Sequence, residues 1–72
     1  MVNYDRYTTL RIDKKDRIAT VTLNRPQALN SIDATMHHEL EDIWEDLMAD
    51  DEVYVAVLTG TGRCFSAGGD IK

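Results

Sequence analysis

The feature that most constrains the fold is an apolar run at residues 53–58 that is rich in β-branched residues and leads into glycines. Such a run predicts a strand buried on both faces of a sheet. Gly60 and Gly62 follow it and end the predicted strand. The chain then reaches Gly68-Gly69-Asp70, where Asp70 is a favourable residue for the N-terminus of a helix. The sequence therefore predicts a buried strand, a glycine loop and the start of a helix, in that order.

The two adjacent glycines are compatible with a binding site and with a simple turn. Gly68 and Gly69 have no Cβ, so a ligand can approach their amide N–H groups closely. An N–H group beside a helix N-terminus suits an anion, or an oxygen that becomes anionic during a reaction. A Gly-Gly pair is nevertheless more often a turn. The glycines alone do not identify a site.

Size, charge and cysteine content exclude several classes of protein. The 72 residues correspond to one small domain or to part of a larger one. A net charge of −5 argues against nucleic acid as a partner. No apolar run reaches the roughly twenty residues that cross a bilayer, and residues 1–13 lack the apolar core of a signal peptide. The single cysteine, Cys64, excludes an internal disulfide and fits a reducing compartment. Together these features lead us to expect a cytoplasmic protein without a membrane partner.

The first half of the chain predicts a β-hairpin followed by an amphipathic helix. Residues 7–13 and 17–23 alternate between polar and apolar side chains across a short polar link. Pro26 opens a loop after the second strand, and Asp33 is the expected helix N-cap, with Ser31 as the alternative. An apolar stripe at helical spacing is expected to lie in the core, and it comprises Met36, Leu40, Ile43, Trp44, Leu47 and Met48.

The predicted element order gives an α/β fold. Residues 33–52 contain acids but no Lys or Arg, which predicts a solvated acidic helix face, and the helix end near Asp50-Asp51 should also be solvated. The buried strand at residues 53–58 needs neighbours that the chain supplies only in part. We therefore expect residues 1–72 to be a partial domain whose remainder is absent.

Several catalytic patterns are absent from the sequence. Phe65 stands where a dinucleotide-binding fingerprint beginning at Gly60 needs its third glycine. No glycine loop is followed by the lysine of a P-loop. His37 and His38 are adjacent, without a histidine partner four residues on, so we expect surface histidines and no metal site. Cys64 has no assignable base, which favours a small buried thiol over a nucleophile.

Two loops remain, and together they carry a family resemblance. The first reads LNRPQALNS at residues 23–31 and precedes Met36 and Glu39-Leu40. The second reads VYVAVLTGTGRCFSAGGD at residues 53–70. At this spacing of about forty residues, the pair resembles the two signatures of the crotonase superfamily, the enoyl-CoA hydratases and isomerases.

The resemblance implies the N-terminal part of a crotonase-like ββα spiral that binds an acyl-CoA thioester. Members of the family stabilise an enolate-like oxyanion with two backbone N–H donors, and one of them corresponds to Gly69. The second donor and the acid–base glutamates have no counterpart within residues 1–72. No separate cofactor is implied, because coenzyme A is part of the substrate. The implied CoA contacts are Arg25, Gln27, Ala28, Ser66, Ala67, Gly68, Gly69, Asp70, Ile71 and Lys72.

Within that set, Arg25 and Lys72 are the expected phosphate partners, and for Arg25 an ordinary surface position is an equal alternative. The resemblance further implies a lyase or isomerase of fatty acid metabolism, with hydratase as the default, and a homotrimer or hexamer for the full-length protein. We expect the 72 residues alone to be inactive. Two alternatives stay open, namely a non-catalytic CoA-binding or oligomer-contact module, and an enzyme assembled with a complementing chain. The motifs specify neither the acyl group nor the reaction type.

Overall fold

The computed structural model describes residues 2–69, which form a three-stranded sheet with one helix packed on it. The sheet order is β1-β2-β3, with β1 and β2 antiparallel and β2 and β3 parallel. The elements are a 3-10 turn Tyr4–Arg6, β1 Leu10–Lys15, β2 Ile18–Leu23, a second 3-10 turn Pro26–Ala28, α1 Ala34–Met48 and β3 Val55–Gly60. The predicted α/β arrangement of hairpin, helix and further strand is confirmed. Within residues 2–69, no helix has the length and apolar character needed to cross a bilayer.

The predicted hairpin is confirmed, although its first strand spans Leu10–Lys15 and not residues 7–13, and its second begins at Ile18 and not at Arg17. Lys15 pairs with Ile18, so Asp16 and Arg17 form the connecting turn. Both turn residues have positive φ, 53° and 70°. This is the backbone of a type I′ turn, whose twist matches that of the flanking strands. The predicted alternation in β2 is also confirmed, since its buried residues are Ala19, Val21 and Leu23.

Helix α1 begins where the sequence predicts and buries only part of its apolar stripe. The Asp33 carboxylate accepts a hydrogen bond from the Met36 amide at 2.8 Å, which confirms Asp33 as the N-cap. Trp44 and Met48 are 41% and 88% exposed, so their predicted core positions are wrong. They line a groove beside β3 that residues 2–69 leave uncovered. The buried members of the stripe are Met36, Ile43 and Leu47, and Leu40 is partly buried against them.

Strand β3 differs from the prediction in its bounds and in its burial. It begins two residues later than expected, and Val55, Val57 and Leu58 are 53%, 44% and 40% exposed. β2 pairs with one edge of β3, and no strand within residues 2–69 pairs with the other. The buried core combines α1 with β1 and β2. The prediction of a strand buried on both faces is therefore wrong for the described residues, because they contain no layer that covers β3.

The acidic side of α1 binds the N-terminal segment, so the prediction of a fully solvated face is wrong. Asp46 accepts a hydrogen bond from the Tyr7 hydroxyl, and Asp50 accepts one from the Tyr4 hydroxyl at 2.6 Å. The Lys14 ammonium also donates to Asp50, at 2.9 Å. Burial and the bond to Asp50 raise the pKa of Tyr4 to about 12. The end of the helix is thus tied to the first residues of the chain.

Glu39 holds the segment just before β1. Its carboxylate accepts hydrogen bonds from the backbone amides of Thr8 and Thr9 at 2.9 and 2.8 Å, and from both threonine hydroxyls. Burial acts to raise the pKa of the Glu39 carboxyl, but the bonds from Thr9 and Thr8 together outweigh it and lower the pKa. The carboxylate is therefore stabilised in its charged form by neutral donors.

We expect Glu39→Gln to lower the free energy of unfolding by about 1–2 kcal/mol, because a neutral amide offers a single acceptor oxygen to the Thr8 and Thr9 donors. Glu45→Gln, on the exposed side of the same helix, is the matched control and should change stability by less than about 0.5 kcal/mol. Urea unfolding followed by circular dichroism measures both variants. Equal losses in the two variants would contradict the role of Glu39.

Stability should also fall at acidic pH through Asp50. The hydrogen bonds from Tyr4 and Lys14 lower the pKa of Asp50 to about 2, whereas an aspartate in an unfolded chain titrates near ~3.9. The unfolded chain therefore takes up the proton first as the pH falls, and stability that is complete above about pH 4 is lost toward pH 2. We expect Asp50→Asn to show a smaller loss between about pH 5 and 2.5 than the unmodified chain. Asp51→Asn is the exposed control, and an unchanged pH profile for Asp50→Asn would refute the assignment.

Candidate functional site

The candidate site lies where two loops leave the same edge of the sheet. The first loop, residues 24–32, follows β2, and the glycine loop, residues 61–69, follows β3. Because β2 and β3 are parallel and Leu23 pairs with Gly60, the two strands end side by side. The Thr61 amide continues this pairing by donating to the Leu23 carbonyl at 2.9 Å. The strand register thus places the two motif loops next to each other.

Asn30 joins the two loops and is completely buried, at 0% exposure. Its side-chain oxygen accepts a hydrogen bond from the Arg25 amide at 2.8 Å. Its side-chain nitrogen donates to the Thr61 and Cys64 carbonyls, both at 2.8 Å. The amide group therefore uses both of its donors and its acceptor on backbone atoms of the two loops.

No role for Asn30 follows from the sequence patterns alone. A signal was present, because Asn is enriched at positive φ and the residue directly follows the apex of the loop. Leu29 and Asn30 have φ values of 51° and 54°. This left-handed backbone is unfavourable for Leu, whose side chain is also exposed here. The turn directs the Leu29 carbonyl to the Ala67 amide, 2.9 Å away.

Three consecutive amides of the glycine loop have different partners. The Ala67 N–H donates to the Leu29 carbonyl, and the Gly68 N–H donates to the Ser66 hydroxyl at 3.1 Å. The Gly69 N–H forms no hydrogen bond to an acceptor within residues 2–69, and Gly69 is exposed. Of these three groups, the Gly69 amide is thus the one left for a ligand.

Further contacts fix the backbone around the glycine pair. The Ser66 hydroxyl donates to the Asn30 carbonyl at 2.8 Å, while the Ile32 amide donates to the Gly68 carbonyl at 2.9 Å. Ile32 and Gly69 form an isolated parallel bridge between the loops. Gly68 has φ of 104°, a conformation that L-residues rarely adopt. Glycine is therefore required at position 68 by its backbone conformation.

Arg25, a predicted phosphate partner, has contacts within its own loop. Its side chain is only 18% exposed, and its guanidinium donates to the Ser31 carbonyl. The Nε atom lies 3.6 Å from a carboxylate oxygen of Asp33, the N-cap of α1. Arg25 is thus not an ordinary surface arginine, because it links the first loop to the beginning of the helix.

The other predicted CoA contacts lie on both loops and beyond them. Gln27 and Ala28 are in the 3-10 turn of the first loop, where Gln27 is exposed and Ala28 half-buried. In the glycine loop, Ser66 is half-buried and Ala67 is exposed, as are both glycines. Asp70, Ile71 and Lys72 lie outside the described residues, and so does the helix predicted to begin at Asp70.

Gly60 allows the glycine loop to fold back over the end of β3. A Cβ atom at this position would lie 2.7 Å from the Phe65 Cα and 2.9 Å from the Cys64 carbonyl oxygen. At Gly69, in contrast, a Cβ atom would meet no heavy atom of residues 2–67 within 4 Å. The sequence predicted only a strand end at Gly60, whereas the close approach of two backbone segments is what requires glycine there.

Comparisons with known proteins agree on one family. The family profile described as enoyl-CoA hydratase/isomerase matches residues 13–72. A probable enoyl-CoA hydratase of Mycobacterium leprae is 39% identical over 67 residues, covering 93% of this chain and 26% of the relative. A hydroxycinnamoyl-CoA hydratase-lyase of Pseudomonas fluorescens is 40% identical over 67 residues, covering 93% and 24%. The crystal structure of the enoyl-CoA hydratase EchA8_6 of Mycobacterium marinum matches with a TM-score of 0.86 at 44% identity, covering 89% and 30%. The chain thus spans about a quarter of the length of these curated relatives.

We expect Gly60→Ala to lower the free energy of unfolding by about 1–3 kcal/mol, because the new methyl group would overlap backbone atoms that cannot rotate away. Gly69→Ala places the same atom more than 4 Å from residues 2–67 and should cost less than about 0.5 kcal/mol. Urea unfolding of the two variants provides the measurement. A Gly60→Ala variant as stable as Gly69→Ala would show that the glycine loop does not close over β3.

Proposed function

The chain belongs to the enoyl-CoA hydratase/isomerase family, and we propose that its Gly69 amide is one donor of an oxyanion hole in an acyl-CoA enzyme. Such a donor stabilises the negative charge that develops on the thioester oxygen in the transition state. The whole protein that contains this segment is proposed to be a hydratase or isomerase of a CoA thioester. No separate cofactor is part of the proposal, because coenzyme A enters with the substrate.

The observation that carries the proposal is the difference between the Gly69 amide and the two amides before it. Ala67 and Gly68 donate inside the protein, whereas the exposed Gly69 amide has no acceptor within residues 2–69. The preceding backbone is held by the Ser66 hydroxyl and by the bridge to Ile32. A donor fixed in this way needs little reorganisation when charge develops, which is the condition for efficient electrostatic stabilisation.

The exposure and contacts of the first loop support the proposal that CoA binds at the edge of the sheet from which both loops leave. Gln27 is exposed and Ala28 half-buried on a 3-10 turn next to the glycine loop. Arg25 is held by Ser31 and Asp33 through its Nη1 and Nε atoms. We propose that its Nη2 group contributes positive charge to a phosphate of the substrate. The corresponding roles of Ser66, Ala67, Gly68, Asp70, Ile71 and Lys72 stay predictions from the family resemblance.

One observation favours a second candidate function, that of a non-catalytic contact module. Trp44, Met48 and Tyr54 are exposed together along the groove between α1 and β3. Exposed apolar groups that adjoin one another are typical of surfaces that contact other polypeptides. A trimeric or hexameric assembly of the full-length protein remains a prediction. A contact module would not need the Gly69 amide, so the two functions differ in the experiment below.

The test is a chimera that carries this chain in place of the matching segment of the Pseudomonas fluorescens hydratase-lyase, assayed with a hydroxycinnamoyl-CoA. We expect the chimera to be active and Gly69→Pro to lower its kcat by about 10²–10³-fold, because proline removes the amide hydrogen. Gly69→Ala keeps the N–H, and its Cβ would contact no heavy atom of residues 2–67, so its kcat should stay within about tenfold. The unfused 72-residue chain is the negative control.

Three outcomes would count against the proposal. A Gly69→Pro chimera with unchanged kcat would remove the donor role and favour the contact module. Equal losses for Gly69→Pro and Gly69→Ala would indicate a steric requirement at position 69 in place of a hydrogen bond. An inactive chimera whose melting temperature shows that it is correctly folded would indicate that this segment cannot form its part of the CoA-binding site.

A further inference from the structure

Asn30 has a burial and bonding pattern that differs from that of every other polar residue described here. It is the one polar residue among residues 2–69 that is buried from solvent. Burying an amide is unfavourable unless each of its polar atoms is hydrogen-bonded, and an apolar side chain would fill the same volume at a lower cost. All three bonds of this side chain end on backbone atoms, at Arg25, Thr61 and Cys64. Asn is therefore favoured at position 30 because its side chain fixes the backbone geometry of the two loops.

The side chain fixes the first half of the glycine loop. The Thr61 and Cys64 carbonyls both accept from the same Asn30 nitrogen, so the turn between them is held at its two ends. Gly60 lets this turn approach the end of β3 closely. The bond from the Arg25 amide in turn fixes Asn30 relative to β2. The start of the glycine loop is thereby held in register with the sheet.

The backbone carbonyl of Asn30 acts on the second half of the loop. It accepts the Ser66 hydroxyl proton at 2.8 Å, and the oxygen of that hydroxyl accepts the Gly68 amide at 3.1 Å. A continuous line of hydrogen bonds therefore leads from Asn30 through Ser66 to the residue before Gly69. It also occupies the Gly68 amide, which would otherwise be a second free donor beside the Gly69 amide.

We propose that Asn30 is a positioning residue, which acts through the Ser66 hydroxyl to set the direction of the Gly69 amide and to keep the neighbouring Gly68 amide from competing with it. The inference rests on the oxyanion role proposed above for Gly69. Asn30 itself touches no reacting atom in this scheme. Its effect on the reaction is to hold a backbone donor in one orientation, and a small misplacement of such a group can cost about 10²-fold in rate.

Two substitutions change the contacts of Asn30 and the hydroxyl of Ser66 separately: the first removes the side-chain bonds that hold Asn30 between the loops, and the second removes the hydroxyl that links its carbonyl to the Gly68 amide. Asn30→Asp keeps the size of the side chain and a residue type tolerant of positive φ, but replaces the two donors facing Thr61 and Cys64 by an acceptor. Ser66→Ala removes only the hydroxyl, at a half-buried position in the loop. Ser66→Thr restores a hydroxyl, and Arg63→Ala alters an exposed side chain of the same loop as a matched control.

The first measurement is the amide spectrum of the ¹⁵N-labelled 72-residue chain, which does not depend on catalysis. We expect Ser66→Ala and Asn30→Asp to shift the Gly68 and Gly69 amide resonances, while Ser66→Thr and Arg63→Ala leave the Gly69 resonance in place. If Asn30→Asp does not fold, Ser66→Ala still tests the proposal. An unmoved Gly69 resonance in Ser66→Ala would overturn it.

The second measurement is the kcat and KM of the chimera. We expect Ser66→Ala and Asn30→Asp each to lower kcat by about 10- to 100-fold with KM within about threefold, and Ser66→Thr to restore kcat. The double variant should be no worse than the more damaged single variant, because Asn30 is proposed to act on the Gly69 amide through the Ser66 hydroxyl, which Ser66→Ala already removes. Additive losses in kcat would indicate a purely structural role. Losses in kcat that are accompanied by a lower melting temperature and are not rescued by Ser66→Thr would indicate the same. Shifted resonances together with a harmless Gly69→Pro would instead support the positioning of the amide and refute its oxyanion role.

Discussion

The parallel pairing of β2 with β3 is the constraint on which the candidate site depends. Two parallel strands need a crossover connection, and here α1 provides it. The crossover brings residues about forty positions apart in sequence to the same edge of the sheet. Without this pairing, the first loop and the glycine loop would have no fixed relation. With it, the Asn30 side chain spans the two loops, and the backbone of each becomes a partner for the other.

The small core is supplemented by polar contacts that join the N-terminal segment to α1. A domain of this size buries only about 60% of the surface that its unfolded chain exposes, so its core alone provides marginal stability. Glu39 and Asp50, which the sequence assigns to an acidic helix, accept hydrogen bonds from Thr8, Thr9 and Tyr4. The two carboxylates thus bind donors of the N-terminal segment. The Glu39 contacts adjoin the first loop, because the Thr9 carbonyl accepts a hydrogen bond from the Asn24 amide at 2.8 Å. The Asp50 contacts follow the end of α1 and reach Lys14, near the other end of β1.

Features that depend on neighbouring residues could be predicted from the sequence, and those that depend on distant residues could not. The hairpin and the Asp33 cap follow from local patterns, and both are present. The exposure of Trp44 and of β3 could not be predicted, because burial depends on which layers cover a side chain. Within the candidate site, the glycine loop could be predicted from its sequence motif. The role of Asn30 could not, since its partners at residues 61 and 64 meet it only in the folded chain.

The site proposed above, built from backbone donors, would also explain why this segment specifies a family more closely than a reaction. In the proposed scheme the Gly69 amide is oriented by main-chain contacts and by the Ser66 hydroxyl, and none of these groups exchanges a proton with a substrate. Chemical selectivity in such enzymes must come from acids and bases placed elsewhere. Two relatives named for different reactions, a probable enoyl-CoA hydratase and a hydroxycinnamoyl-CoA hydratase-lyase, match this chain almost equally, at 39% and 40% identity. That equality is expected if the segment provides the binding edge and its donor, on which either reaction can proceed.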